Sequence, residues 1–166
     1  MKMKSRSAII KKTAVSALAA VVLFVLYAVI FSFSGQDGEA SGNLSFYVSE
    51  KCVGIMNSIS GRHWTAEYFE HPIRKLAHFS EYACMGILVY ILLRPWLERG
   101  KKLYLIIVLW VFVSAAADEI HQLFVPERCG SPADVCLDTL GGAFGILICV
   151  LLEKIVRRRH LKCARK

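Results

Sequence analysis

The chain has 166 residues, of which 55% are hydrophobic, with a formal net charge of +8 and a mean hydropathy of +0.47. An ordinary soluble domain is about 45–50% apolar, so this composition argues against one, and the length accommodates a single domain. The basic residues gather at the two ends and in one short loop, with no basic face interleaved with aromatics, which argues against a nucleic-acid partner.

From Thr13 to Gln36 the chain carries no charge: "TAVSALAAVVLFVLYAVIFSFSGQ". Crossing the hydrocarbon core takes about 20 apolar residues, so this run is the first expected span. A signal peptide has an apolar core of about 7–15 residues and a small-x-small cleavage site; this run is longer and lacks a clean site, which favours a retained helix. The segment that follows contains "LSFYVSEKCVGIMNSI", with Leu44, Val48, Cys52, Ile55 and Ile59 at roughly helical spacing. It reads either as an interfacial helix on the outer leaflet or as a helix packed over the bundle. The second expected span runs from Pro72, placed in the first helical turn, to Leu93, and the third from Leu103 to about Val125. The fourth runs from Pro132 to Leu152, with Ser131 as N-cap, Pro132 at the first helical position and Asp134 near the positive helix end. The expected fold is therefore all-α: a polytopic membrane protein with four transmembrane helices and an outer-leaflet loop or interfacial helix between the first and second. Residues 1–12 read as a basic cytoplasmic N-terminus, 13–152 as the membrane domain and 153–166 as a basic cytoplasmic tail. There is no internal repeat and no low-complexity tract.

Orientation follows from Lys and Arg in short flanks. The N-terminus carries Lys2, Lys4, Arg6, Lys11 and Lys12. The loop between the second and third spans carries Arg94, Arg99, Lys101 and Lys102. The tail carries Lys154, Arg157, Arg158, Arg159, Lys162, Arg165 and Lys166. With four spans all three segments fall on one side, so both termini are expected in the cytoplasm. Cys84, Cys136 and Cys149 lie in apolar runs and read as small buried hydrophobes. Cys52 and Cys129 could pair only if both faced an oxidising side at disulfide distance.

This topology delivers ionisable residues from three stretches to the same depth. Arg74, Lys75, His78 and Glu81 lie in the outer half of the second span. Asp118, Glu119, His121 and Gln122 lie in that of the third, and Asp134 and Asp138 in that of the fourth, with Arg128 in the connecting loop. A charge inside a membrane costs at least ~2.5 kcal/mol, so such groups must face one another or a wet cavity. Arg74, His78 and Glu81 share a helix face, as do Ser114, Asp118 and His121. On the fourth span the stripe is Asp134, Asp138, Gly141 and Gly145, whose GxxxG portion (with Gly142 beside it) permits close helix approach. An Arg74–Asp134 pair is one expected contact.

These residues resemble a known family. "RKLAHFSEYACMGILVY" and "DEIHQLFVPERCGSPADVCLDTLGGAFG" look like the paired signatures of the VanZ-like membrane proteins, and "FSFSGQDGEASGNLS" fits that family's outer stretch. The likeness covers roughly residues 30–150. It implies a small multi-helix membrane protein of the bacterial cell membrane, in a family whose founding member is associated with teicoplanin resistance. By motif match the resemblance marks the polar residues above together with Tyr82, Pro126 and Gly142, and it assigns none of them a catalytic role. Glu127 stands where the family frequently has glycine.

Three uses of the polar cluster stay open. It could be a register-fixing network of neutralised charges. It could be a binding site in which Arg and Lys hold phosphate or carboxylate, for a lipid headgroup or lipid-linked envelope ligand. It could be an enzyme with His78, His121 and the carboxylates as acids and bases. His78-x-x-Glu81 and Asp118-x-x-His121 evoke metal-binding bundles, but no HExxH is present, and neither a metal nor a cofactor is expected. Ser131 as a nucleophile competes with its use as a cap. A transport pathway through four spans would require an oligomer. The bilayer itself is the first expected partner.

Overall fold

A backbone immersed in hydrocarbon must satisfy its hydrogen bonds internally, which leaves helix as the solution for runs of this length. The computed structural model describes residues 2–61 and 63–163, so Arg165 and Lys166 of the basic tail lie outside it. Five helices follow one another: α1 (Lys2–Ser34), α2 (Gly38–Ser60), α3 (Ala66–Leu93), α4 (Lys101–Gln122) and α5 (Pro132–Cys163). Among the described residues α1, α3, α4 and α5 are long and apolar enough to cross a membrane. The chain is an all-α, multi-pass membrane protein.

The helices differ from the expected spans at several ends: α1 and α5 run on through the basic flanks, α4 stops at Gln122, and α3 begins earlier. Pro72 is not in the first turn of its helix but inside α3, which starts at Ala66. The ring deprives the Tyr68 carbonyl of its usual donor, yet local packing carries the helix past it. Trp64, Tyr68 and Phe69 form an aromatic cluster with centroids 5.4–6.1 Å apart. The Asn57 side chain accepts from Trp64 N at 2.9 Å and donates to Trp64 O at 3.1 Å, tying the end of α2 to the approach to α3.

α3 is the central helix, packed against α1, α2, α4 and above all α5. Small residues make that last interface. A Cβ on Gly141 would overlap the Phe79 carbonyl, one on Gly145 the Ala83 carbonyl, and one on Gly86 the Gly142 carbonyl. The backbones of α3 and α5 therefore touch, the mode by which helices associate in lipid. Around this seam Tyr82, Met85, Val89, Leu103, Ile107 and Val111 are fully buried.

α2 packs on α3, but not through its apolar stripe. Ser49 and Val53 are buried and Ser41 and Ser45 half-buried, while Leu44, Val48, Cys52, Ile55 and Ile59 are exposed. The serines can be buried because their hydroxyls are satisfied inside the helix: Ser45 donates to Ser41 O at 3.0 Å and Ser49 to Ser45 O at 2.8 Å. Cys84 and Cys136 are exposed, contrary to the expectation that they are buried, because in a membrane bundle half of each apolar run faces outward. Cys52 and Cys129 are free.

The three basic segments meet at one end of the bundle. Ser16 Oγ donates to Leu92 O at 3.0 Å and accepts from Trp96 Nε1 at 2.7 Å. Glu153 of α5 pairs with Arg94 at 3.1 Å and Arg99 at 3.7 Å. Gly145→Leu is expected to force α3 and α5 apart and lower stability by about 3 kcal/mol, read as a drop in melting midpoint in detergent. Gly54→Ala, where a Cβ meets only open space, should leave stability unchanged or raise it by up to about 1 kcal/mol.

Candidate functional site

The buried stripe of α4 runs Leu103, Ile107, Val111, Ala115, and continued at the same spacing it reaches Asp118, Glu119 and Gln122, which are also buried. The helix thus carries its polar residues to the bundle interior on the face that is apolar two turns earlier. Asp118 Oδ2 accepts from Ser34 Oγ at 2.8 Å and from Gln122 Nε2 at 3.2 Å. The other members of its stripe also turn toward α1: Ser114 bonds to Tyr27, and the His121 ring stacks on Phe31 at 4.2 Å. Glu119 has a different task. It accepts the Ser131 backbone N–H at 2.7 Å while the Ser131 carbonyl receives Asp134 N and Val135 N, so a carboxylate from α4 sits at the N-terminus of α5.

Arg128, in the loop between α4 and α5, is buried and reaches back to α1. It donates from Nη2 to Phe33 O at 3.1 Å and from Nε to Gln36 O at 3.3 Å, placing a cation at the C-terminal end of α1, where Phe33 O also accepts Gln36 N at 3.2 Å. Burial, then Arg74, pulls the Arg128 guanidinium below its ordinary pKa, opposed by Asp118 and Glu119; it stays charged at neutral pH. Glu127, beside it, has φ of 59°, the left-handed conformation that glycine adopts without cost.

Between α3, this loop and the start of α5 lies a cavity of about 310 Å³. Arg74, Lys75, His78, Glu119, Gln122, Arg128, Asp134 and Asp138 line it, together with His71, Glu127, Cys129 and Leu137. Asp138 and Arg74 are among the lining groups without partners. Asp138 is 1% exposed, and neither carboxylate oxygen has a hydrogen bond. Arg74 makes no hydrogen bond or ion pair among the described residues. The expected Arg74–Asp134 pair does not form, because Lys75, on the next residue's face of α3, takes Asp134 at 2.8 Å instead.

A second hollow of about 260 Å³ lies under α2 and shares Arg74, His78 and Arg128 with the first; Phe33, Leu44, Val48, Ile73 and Ala77 make it mainly apolar, and Glu81 lies within it. His78 Nδ1 stands 4.0 Å from Glu81, too far for a hydrogen bond. Of the expected polar residues, Glu81 thus faces the apolar hollow, Asp118 lies behind the cavity, and His121 stands apart against α1. Sequence reasoning missed His71, one turn before Arg74 and Lys75, and the partners Ser34 and Gln36, whose signal was their place in "FSFSGQ". Among the described residues no group of three or more His, Cys, Asp or Glu is arranged to hold a metal ion.

The family model described as VanZ/LLP1 matches residues 19–153. The chain belongs to the VanZ/LLP1 family. No curated protein and no solved structure matches it. The VanZ/LLP1 match takes in the α3–α5 seam and every residue of both hollows.

Three outcomes are expected in detergent melting. A double-mutant cycle on Lys75 and Asp134 should give a coupling below about 1 kcal/mol, since the pair is half-exposed, while Arg74→Ala and Asp134→Ala should add to within about 0.5 kcal/mol. Glu127→Gly should stabilise this VanZ/LLP1 protein by up to about 1 kcal/mol by relieving the left-handed backbone, and Glu127→Val should destabilise it.

Proposed function

We propose that this protein binds a lipid-linked ligand of the cell envelope in the polar cavity, at the outer face of the bacterial cytoplasmic membrane with both termini inside. The orientation rests on the three basic segments sharing one end of the bundle; the cavity belongs to the opposite end. The observation that carries the binding reading is the pair of unmet groups, Asp138 and Arg74. A network built only to fix helix register would match its polar groups, because a buried group left without a hydrogen bond is costly, and Asp138 is such a group while half-buried Arg74 stands on the same cavity wall without a partner. Groups left unmet beside a cavity are groups kept for something that enters it.

Such a ligand changes the outer surface that a lipid-bearing glycopeptide meets, and lowered susceptibility to teicoplanin-type drugs is the cellular consequence drawn from the family. A second reading, acid–base chemistry on the same lipid, is favoured by His78, whose Nδ1 is buried without a hydrogen bond where the two hollows join.

The test is mass spectrometry of lipids retained by the purified protein in mild detergent. Wild type is expected to retain one lipid class above background, and Arg74→Gln and Asp138→Asn to lose about ten-fold of it with membrane abundance unchanged. No enrichment in wild type, with both variants losing abundance instead, would return the cluster to a structural role. His78→Ala retaining the lipid in a chemically altered form relative to wild type would favour the enzyme. Reporter fusions at the two termini should be active only in their cytoplasmic form.

A further inference from the structure

Resting on the binding reading, we infer that the ligand is a zwitterionic amphiphile: a lipid phosphate bearing a primary amine, with its phosphate at Arg74, its ammonium at Asp138 and the start of its chain in the apolar hollow under α2.

The assignment follows from which charges are already used. Asp134 is taken by Lys75, Glu119 by the start of α5, Asp118 by Ser34 and Gln122, and Arg128 by the carbonyls of α1. What remains on the cavity wall is the guanidinium of Arg74 and two carboxylates, solvent-exposed Glu127 and buried Asp138; of the two, only Asp138 is sealed from water with both oxygens unmet. Arg74 fits an anion with parallel acceptor oxygens, as phosphate offers. Asp138 has two bare acceptor oxygens and needs a donor, best a cation. A wholly anionic head would satisfy Arg74, leave Asp138 stranded, and add negative charge to a surface already crowded with carboxylates. A phosphate with an attached ammonium satisfies both and adds no net charge.

The two hollows share Arg74 and His78, so a head in one continues naturally into the other. At about 310 and 260 Å³, each sits near the ~300 Å³ lower end of small-molecule pockets. That space suits a headgroup and the first stretch of a chain rather than a whole lipid-linked oligosaccharide. Leu44 and Val48 line the apolar hollow and are 48% and 39% exposed, which places its mouth on the outside of the bundle, where a chain runs on into the bilayer.

The experiment is a melting titration of the full chain in detergent with phosphatidylethanolamine, phosphatidylglycerol, phosphatidylcholine and chain-free glycerophosphoethanolamine. Phosphatidylethanolamine should bind about ten-fold more tightly than phosphatidylglycerol or phosphatidylcholine, because the glycerol head lacks the cation and the choline head lacks an N–H donor. Asp138→Asn should erase that preference while phosphatidylglycerol still binds. Arg74→Gln should weaken all three lipids. Val48→Trp or Ala77→Trp, which fills the apolar hollow, should bring phosphatidylethanolamine down to the level of the chain-free head. Tighter binding of phosphatidylglycerol than of phosphatidylethanolamine would overturn the ammonium assignment and leave the binding reading standing. Equal binding of the chain-free head would overturn the chain assignment. Binding of none of the three lipids by wild type would overturn this inference, and the same result together with no lipid class retained on purification would overturn the proposed function as well.

Discussion

The backbone contact between α3 and α5 sets the spacing of everything at the polar end of the bundle. Two helices whose carbonyls meet Gly141, Gly145 and Gly86 cannot shift by a turn or roll without a clash, so the contact is a register lock as well as a source of dispersion energy. Asp138 sits three residues before Gly141 on α5, and Phe79, the neighbour of His78, is the residue Gly141 touches. The cavity is the place where the same two helices stop touching. Its walls are fixed by the seam just beneath it.

The charges above the seam divide into two kinds. Asp118, Glu119 and Arg128 are spent on the fold: they hold α1 to α4, cap α5 and close the C-terminal end of α1. Each answers a backbone group or hydroxyl that would otherwise lie open in a medium without water. Arg74 and Asp138 have no such duty. The distinction matters for reading mutants, since loss of the first kind removes helix placement and loss of the second removes only what the cavity offers.

Much of this architecture is legible in the order of the amino acids, for particular reasons. An uncharged run such as Thr13–Gln36, and the shorter apolar runs that follow it, have one solution in lipid, and the Lys and Arg clusters mark one end of it. The gathering of Arg74, His78, Asp134 and Asp138 at one depth follows from counting residues along helices. What the count cannot supply is rotation. Asp118 and Glu119 are neighbours in sequence, yet one turns to α1 and the other to α5, and His121 follows the former. Adjacent Arg74 and Lys75 diverge in the same way, so the acid goes to the lysine. Pro72 misleads because proline is a good mark of a helix start, and here the aromatic cluster preceding it overrides that preference. The apolar stripe of α2 is visible in the residues, but periodicity alone does not say whether such a stripe meets protein or lipid.

The dominance of the α3–α5 seam over the contact between α3 and α4 has a bearing on biogenesis. A chain made from its N-terminus presents α3 to the membrane with Arg74, Lys75, His78 and Glu81 exposed, before the helix that covers its glycine-matched face has been synthesised. Membrane insertion costs at least ~2.5 kcal/mol for each ionised group of that kind at mid-depth. Until residues 132–145 emerge, α1, α2 and then α4 are the helices already made that pack on α3. The last helix to be synthesised is the one that closes the polar cavity.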